Sequence, residues 1–342
     1  MKPSRGWFAA KRIVSAVPLV FGVVAATFLL TRLLPGDPAA FFTNTPGAGA
    51  AEIAEVRHNL GLDRSLPEQF VIYLVNLAHG DLGQSLISGQ SVAADLMERL
   101  PASLELTVIA FVLACAVGLP LGIFAALRPG SIIDHTCRIV STAGVSTPVF
   151  VSGLLLIYVF YYLLGWAPDP VGRLDPYLNA PPHLTGLLIV DGLLAGDLNS
   201  TLSSVKQLIL PSATMALFAL APLARMMRGS MIAVLGSEFI RTARALGLPR
   251  RKIIMTYALR NALLPVITTL GMVFSYMLGA NVLVEKVFAW PGIGAYALNA
   301  LISLDYAPVQ GFILLMACLY VVLNLMVDLI YSFIDPRVGL AE

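Results

Sequence analysis

Residues 237–265 read SEFIRTARALGLPRRKIIMTYALRNALLP, a strongly basic segment between two long apolar runs. The segment can hardly lie within a bilayer, because each Lys or Arg at the centre of a spanning helix costs about 2.5–3.5 kcal/mol. Its pattern predicts one helix, a turn at Gly247 and Pro249, and then a second helix. We interpret this segment, called the basic hairpin below, as a helical hairpin on the cytoplasmic face of a membrane protein, where it suits the docking of another protein.

The composition is that of an integral membrane protein. Hydrophobic residues make up 58% of the 342 residues and charged residues only 12%, whereas a soluble domain carries about 25% charged residues. Six charge-free runs approach or exceed the length of about 20 residues that a spanning helix needs. Backbone polar groups in lipid must be satisfied within their own segment, so the chain is predicted to be all-α with six transmembrane helices. The runs are Ile13–Thr31, Leu106–Leu127, Ile139–Pro168, Gln207–Ala224, Asn261–Val284 and Tyr306–Val327.

The first run is expected to be a retained helix and not a cleaved signal peptide. Its basic start fits a signal peptide, but its 19 apolar residues are followed directly by Arg32, and the apolar part of a signal peptide has about 7–15 residues.

The basic residues predict the orientation of the chain. With six spans, both termini and the 128–138 and 225–260 loops share one side, which holds 15 of the 22 Lys and Arg residues. The positive-inside rule therefore places both termini and the 225–260 loop in the cytoplasm.

Two longer segments are then external. Residues 33–100 are polar and contain two short helical patterns, Glu52–Leu60 and Leu66–Leu77. Residues 169–206 contain the apolar stretch Leu184–Val190, which we interpret as interfacial and not as a seventh span, because Asp191 and Asp197 interrupt it.

The sequence lacks the motifs of several enzyme and transporter classes. None of its five lysines follows a glycine, so there is no P-loop, and neither H-E-x-x-H nor G-x-S-x-G occurs. The three cysteines are widely spaced and suggest neither a disulfide framework nor a zinc site. The six runs hold no carboxylate, since Glu105, Glu285 and Asp328 lie only at run edges. We therefore expect no enzyme activity and no bound metal, and an ion-coupled secondary transporter or channel is the less favoured alternative.

The basic hairpin has the features of a docking element. Ser237 suits an N-cap and Glu238 suits the positive end of a helix dipole. Ile240, Ala243 and Leu246 recur every three residues and predict a narrow apolar strip that favours a groove on a partner. The alternative is a basic loop that only fixes topology and contacts lipid phosphates.

At these residues the chain resembles a known family. Thr242-Ala243-x-x-x-Gly247 is similar to the EAA loop of ABC importer permeases, whose pattern is Glu-Ala-Ala, three residues, Gly, nine residues and Ile-x-Leu-Pro. Ala243, Gly247 and Leu259 match this pattern. The chain departs from it at Arg241, Thr242, Tyr257 and Arg260. The form R-T-A-R-A-x-G-L followed by A-L-R-N-A resembles the dipeptide/oligopeptide branch of the family.

Four further stretches resemble that branch, in the same order along the chain. They are RLLPGDP from Arg32, GDLGQS from Gly80 with ERLPASLEL from Glu98, EKVFAWPGIG from Glu285, and DLIY from Asp328 with DPR from Asp335.

The resemblance implies a type I ABC importer permease fold with one extra N-terminal helix. Residues 1–100 would form that transmembrane helix and an extracytoplasmic region, and residues 101–342 a five-helix permease core with the coupling loop 225–260. The partners would be a second homologous permease, two ABC ATPase subunits that bind ATP and Mg, an extracytoplasmic solute-binding protein and membrane lipids, with no nucleic acid and no cofactor in this chain. The location would be a bacterial inner membrane.

The resemblance also implies roles for residues. The ATPase-coupling loop would use Glu238, Arg241, Thr242, Ala243, Leu246, Gly247, Leu248 and Arg250. The translocation path would be lined by Ser146, Thr147, Thr214, Thr268, Ser275 and Asn281, each of which is alternatively an interhelical hydrogen-bonding residue. The external gate or binding-protein contact would use Glu285, Trp290, Pro291 and Gly292, with Trp290 alternatively an interfacial anchor. Prolines such as Pro148 would supply pivots or static kinks. The implied substrates are dipeptides, oligopeptides, nickel chelates, glutathione or opines.

Overall fold

The computed structural model describes residues 5–33, 50–59 and 61–334, and its regular structure is helical. Both termini and the motif residues 34–38 and 335–337 lie outside the described residues. The helices are α1 (Arg5–Leu33), α2 (Ala50–Asn59), α3 (Leu66–Ala78), α4 (Val92–Leu127), α5 (Ile132–Ser146), α6 (Val149–Leu156), α7 (Leu188–Ala195), α8 (Leu198–Leu235), α9 (Glu238–Ala245), α10 (Arg250–Lys252), α11 (Leu259–Val287), α12 (Ile293–Ile302) and α13 (Tyr306–Ile334). Two π-helical segments follow α6 and α10, at Ile157–Leu163 and Ile253–Ala258.

Membrane-length helices cover the predicted apolar runs. Within the described ranges, four helices are long and apolar enough to cross a membrane, and a fifth span results if the bent pair Ile132–Ser146 and Val149–Leu163 is one span. The four are Val92–Leu127, Leu198–Leu235, Arg250–Val287 and Tyr306–Val327. The first run lies on α1, whose apolar described part is Val17–Leu33. The all-α class is confirmed, and the number of six spans stays a prediction.

The third run is not one helix as predicted. α5 and the helix after it meet at an angle of 108° across a break at Thr147 and Pro148. Thr147 is extended, with φ −98° and ψ 124°, because the ring of a following proline disfavours the α conformation of the residue before it. Pro148 then occupies the N-cap of α6.

The two segments predicted to be external largely have the predicted local structure. α2 coincides with the first short helical pattern as far as Asn59, and α3 covers the second. The stretch Leu184–Val190 contributes only to α7, a helix of 8 residues that is too short to span a bilayer.

By contact density the chain forms two compact units. The first contains the described parts of 1–101 and 291–322, and the second contains 102–290 with the described part of 323–342. Val92, Leu96 and Ile293 lie in the core of the first unit. The predicted boundary between two domains at residue 100 places residues 291–322 in the permease core. This boundary stays a prediction.

The second unit is built around α8. This helix of 38 residues packs against α5, α6, α7 and α11. Its N-cap residue is Asp197, whose side chain accepts hydrogen bonds from the backbone N–H groups of Asn199 and Ser200. Pro211 and Pro222 lie inside this helix without ending it.

The tightest approach between α4 and α8 requires glycine at position 122. A Cβ atom at Gly122 would lie 2.6 Å from the Ala224 carbonyl oxygen and 2.8 Å from Met227 Cβ. The two backbones therefore meet where only a hydrogen atom fits, as small residues allow in membrane helices.

Gly122→Ala is expected to destabilise the protein by about 1–3 kcal/mol through overpacking. Gly229→Ala is the matched control, because a Cβ there meets no atom within 4 Å. It should be neutral or slightly stabilising. The thermal unfolding midpoints of the purified variants in detergent measure the difference, and equal midpoints would contradict the close approach.

Candidate functional site

The basic hairpin has the predicted helix, glycine turn and second helix. α9 ends at Ala245 with Leu246 as its C-cap, and Gly247 follows with φ +72°. The N–H of Gly247 donates to the Arg244 carbonyl at 3.0 Å, and that of Leu248 donates to the Ala243 carbonyl at 3.2 Å. These two bonds satisfy carbonyls at the end of α9 in a Schellman motif, which explains why a residue that tolerates positive φ occupies position 247.

The start of the basic hairpin differs from the prediction that Ser237 caps the helix with its side chain. Ser237 occupies the N-cap position of α9, but its side chain makes no capping bond. Instead, its hydroxyl donates to the Val234 carbonyl at 2.6 Å, which ties it to the end of α8.

The predicted apolar strip divides between the interior and the surface. Ile240 is fully buried and Ala243 is 7% exposed, both in a cluster that includes Met227 and Met231 of α8. Leu246 is 75% exposed and Phe239 is 45% exposed. The prediction that the strip forms a single docking surface is therefore wrong. Ile240 and Ala243 pack against other parts of this chain, and of the three residues only Leu246 is exposed for contact with a partner.

The outward surface of the basic hairpin is polar and basic. Glu238 and Arg241 form an exposed pair at 3.1 Å, with side-chain exposures of 79% and 75%. Thr242 is also exposed, and its hydroxyl donates to the Glu238 carbonyl at 3.1 Å. Of the predicted coupling residues, Glu238, Arg241, Thr242, Leu246, Gly247 and Arg250 are exposed, Leu248 is partly buried and Ala243 is buried.

The second half of the basic hairpin continues into a membrane-length helix. α10, the π segment Ile253–Ala258 and α11 form one helix from Arg250 to Val287. Ile253, Ala258 and Ala262 pack in the same cluster as Ile240. α9 is thus held by buried contacts to two long helices.

Glu285 and Trp290 are interior residues. Glu285 has no exposed surface, and its Oε1 accepts from the Ser103 hydroxyl at 2.5 Å and from Asn281 Nδ2 at 2.8 Å. Trp290 is 1% exposed, and its Nε1 donates to the Ala102 carbonyl at 2.9 Å. Trp290 is therefore not an interfacial anchor, and neither residue presents its side chain to a binding protein. Pro291 is exposed, and Gly292 is buried.

A buried ion pair that sequence reasoning missed lies in the same unit. Arg173 Nη2 donates to Glu105 Oε2 at 2.6 Å, with side-chain exposures of 13% and 6%. Arg173 also donates to the Gly186 carbonyl at 2.9 Å, and its guanidinium lies 5.9 Å from the Trp290 ring centroid. The available signal was a carboxylate at a run edge and an arginine in a segment predicted to be external, but only the folded chain shows that they meet.

The six predicted path residues do not share one environment. Ser146 and Thr268 are exposed, and Thr147 and Ser275 are partly buried. Thr214 and Asn281 are buried within this chain. The Thr214 hydroxyl donates to the Leu210 carbonyl at 2.9 Å, and Asn281 belongs to the Glu285 network. Ser146 lines an open groove of about 650 Å³ along α5, together with His135, Arg138 and Thr142.

Comparisons with known proteins agree with these features. Residues 118–340 match the family described as binding-protein-dependent transport system inner membrane component, and residues 7–107 match the N-terminal part of such membrane components. A di/tripeptide transport system permease protein of Pseudomonas aeruginosa is 41% identical over 97% of this chain and 98% of its own length. A probable D,D-dipeptide transport system permease protein of Escherichia coli is 43% identical over 94% of each chain. The dipeptide transport system permease protein of E. coli is 37% identical over 97% of this chain and 98% of its own length.

The matches extend over nearly the whole chain. Members of this family are non-catalytic membrane components. The chain therefore belongs to the family of inner membrane components of binding-protein-dependent transport systems.

Proposed function

We propose that this permease moves short peptides, or a related small solute, across a bacterial inner membrane at the expense of ATP hydrolysed by partner subunits. It pairs with a second homologous permease and two ABC ATPases, which bind the ATP and Mg, and an extracytoplasmic binding protein delivers the solute. Relatives that carry dipeptide and di/tripeptide names over nearly the full chain length support peptides as the substrate class.

The geometry of the basic hairpin is the observation that carries the coupling role. Its outer surface offers one exposed leucine among basic side chains, and its inner surface is buried against α8 and α11. A partner that displaces Leu246 therefore moves α9 together with its neighbours, because Ile240 and Ala243 of α9 pack tightly against them. The continuous helix Arg250–Val287 carries that displacement along a spanning segment.

The proposed membrane topology of the chain has six spans, with both termini in the cytoplasm. α1 is the extra N-terminal helix, and the bent pair Ile132–Ser146 and Val149–Leu163 is one span. Residues 1–100 then form the N-terminal helix and an extracytoplasmic region, and residues 101–342 form the permease core. The distribution of Lys and Arg supports this orientation.

A path between two permease subunits needs side chains that are accessible on the isolated chain. Ser146, Thr147, Thr268 and Ser275 meet this condition in full or in part. Thr214 and Asn281 fit the hydrogen-bonding role better, since both are buried and the Thr214 hydroxyl and Asn281 Nδ2 donate to groups of this chain. Pro291 is the exposed candidate for contact with the binding protein.

The decisive experiment reconstitutes the whole complex in proteoliposomes with ATP on the cytoplasmic side. Uptake of labelled Ala-Ala should require both ATP and the binding protein. An ionophore that dissipates proton and sodium gradients should leave the initial rate unchanged, because the energy comes from the ATPases.

The opposite pattern would support an ion-coupled secondary transporter or channel. Uptake that persists without ATP, or that collapses with the ionophore while ATP is present, would overturn the proposal. Competition of Ala-Ala uptake by unlabelled longer peptides, glutathione or a nickel chelate then ranks the substrate classes.

A further inference from the structure

The open groove along α5 carries polar side chains over its whole length, and the coupling role does not use it. Its volume of about 650 Å³ lies in the range of small-ligand sites, about 300–1,000 Å³. Its polar residues lie within an arc of about 80° on the helix and extend over about 16 Å of its length. We call it the α5 groove, and it is lined by His135, Arg138, Ile139, Thr142, Ala143 and Ser146.

The other side of α5 is held by contacts to α8. Asp134, Cys137 and Ser141 are buried on that side. Asp134 Oδ1 accepts from Arg228 Nε of α8 at 2.5 Å, and Arg225 Nη2 donates to the Ser141 carbonyl at 3.2 Å. These contacts fix the rotation of α5 about its axis, so the α5 groove faces away from α8.

The exposed surface of α4 in the same unit differs in composition from the α5 groove. Between residues 106 and 127 every exposed residue of α4 is apolar, as at Val112 and Phe124, which is what contact with lipid tails requires. In the α5 groove, Arg138, Thr142 and Ser146 are exposed instead. Polar side chains on spanning segments face a bundle interior or a water-filled cavity. The α5 groove therefore suits a water-filled path better than it suits lipid.

Arg138 supplies a cation to the α5 groove. Its Nη2 donates to His135 Nδ1 at 2.8 Å, which positions the guanidinium and leaves further N–H donors. In the part of the chain that the structure describes, Arg138 forms no ion pair, because the nearby Asp134 carboxylate is paired with Arg228. A guanidinium binds a carboxylate through two parallel N–H donors. Arg138 therefore suits a carboxylate from outside the chain.

The position of Arg138 in the chain places it at one end of the α5 groove. The charge-free run 139–168 begins directly after it, and in the proposed topology residues 128–138 lie on the cytoplasmic side. Ser146, at the other end, adjoins the break between α5 and α6. Arg138 is therefore the first charge of α5 that a solute meets as it leaves the charge-free part of this span.

We propose that the α5 groove forms the cytoplasmic half of the translocation path and that Arg138 binds the C-terminal carboxylate of the peptide there. This inference rests on the proposed transport of peptides. The hydroxyls of Thr142 and Ser146 hydrogen-bond to backbone groups, which are the same in peptides of every sequence. One pair of charges in an open groove, and not a closed pocket, holds the peptide, which suits its release into the cytoplasm.

The test uses cysteine labelling of the whole complex in detergent, with and without ATP. Cys115 and Cys318 are replaced by alanine, buried Cys137 is kept, and Thr142→Cys is introduced. A charged methanethiosulfonate reagent modifies thiols that ionise in contact with water. Thr142→Cys should therefore react, and Ala-Ala should slow the reaction. Val112→Cys is the matched control on the apolar surface of α4, where a position 59% exposed within the chain should react at least tenfold more slowly.

Arg138→Gln tests the carboxylate contact in the Thr142→Cys background. The concentration of Ala-Ala that halves the labelling rate should rise about fivefold or more. Ala-Ala amide lacks the carboxylate and should need a similarly raised concentration when Arg138 is present, whereas Arg138→Gln should not distinguish the two peptides. Arg128→Gln is the control, because Arg128 is exposed in the preceding turn and does not line the α5 groove. It should leave protection by Ala-Ala unchanged.

Three results would overturn the inference. If Thr142→Cys does not react with or without ATP, lipid or the second permease covers the α5 groove. If Arg138→Gln leaves protection by Ala-Ala unchanged, Arg138 does not bind the peptide. If added phosphatidylglycerol protects Thr142→Cys in the absence of peptide, and Arg138→Gln abolishes this protection, the occupant is a lipid phosphate.

Uptake by the reconstituted complex separates this inference from the proposed function. If the wild-type complex does not import Ala-Ala with ATP, the proposed function fails. If it does import Ala-Ala, but Ala-Ala does not slow the labelling of Thr142→Cys, only the assignment of the α5 groove fails. Import together with protection that depends on Arg138 supports both.

Discussion

Leu246→Asp is expected to reduce peptide uptake by about 30-fold or more while the chain still folds and inserts. Leu246 is 75% exposed and is the C-cap residue of α9, so a charge there leaves the buried contacts of Ile240 and Ala243 intact. In the proposed complex, however, the same charge enters the groove of the ATPase, where the loss of one apolar anchor costs about 2 kcal/mol or more. Uptake and binding-protein-stimulated ATP hydrolysis in proteoliposomes should fall together.

Two further variants serve as controls for Leu246→Asp. Leu246→Met keeps the apolar volume and should retain most of the uptake. Leu184→Asp places the same charge at a leucine that is 64% exposed in the segment predicted to be external, and uptake should stay near the wild-type rate. Wild-type uptake in Leu246→Asp would exclude Leu246 from the coupling contact. Ala243→Glu is a poorer probe, because Ala243 is 7% exposed and a charge there disturbs the fold itself.

Arg173→Met is expected to have the largest effect on stability, with a loss of about 3–5 kcal/mol. The change leaves the Glu105 carboxylate buried at 6% exposure without its cation, which had approached to 2.6 Å. Most of the cost is the desolvation of the remaining charge, not the loss of attraction. Denaturation of the purified protein in detergent measures it.

The double variant Glu105→Met/Arg173→Met should recover most of the lost stability, because neither charge then remains buried. Arg241→Met is the surface control. Its partner Glu238 is 79% exposed and lies 3.1 Å away, so we expect a change of about 1 kcal/mol or less. Equal losses in Arg173→Met and Arg241→Met would contradict the assignment of a buried pair.

The helices were predictable because runs without charge, such as Leu106–Leu127, leave few alternatives in lipid. The end of α9 was also predictable, since Gly247 supplies the one backbone conformation that closes the helix. The break at Thr147 had a local signal in the following proline, but its angle of 108° depends on packing.

The error in the apolar strip has a geometric cause. A helix turns by about 100° per residue, so residues three apart drift by about 60° at each step. Leu246 consequently lies about 120° around α9 from Ile240, which separates a buried residue from an exposed one. The burial of Glu285 and Trp290 and the pairing of Glu105 with Arg173 required long-range contacts that no local pattern encodes.

The π segment Ile253–Ala258 determines which side of the following helix faces α8. A π turn accommodates about one residue more than an α turn, so it acts as a single-residue insertion in an otherwise regular helix. Without that residue, every position from Leu259 to Val287 would be rotated by about 100° relative to the basic hairpin. Ala262, Val266 and Val273 would then leave the buried side that they now occupy. The rotation of the spanning helix about its axis, relative to the basic hairpin, therefore depends on the number of residues in this one segment. It does not depend on which side chains line either element.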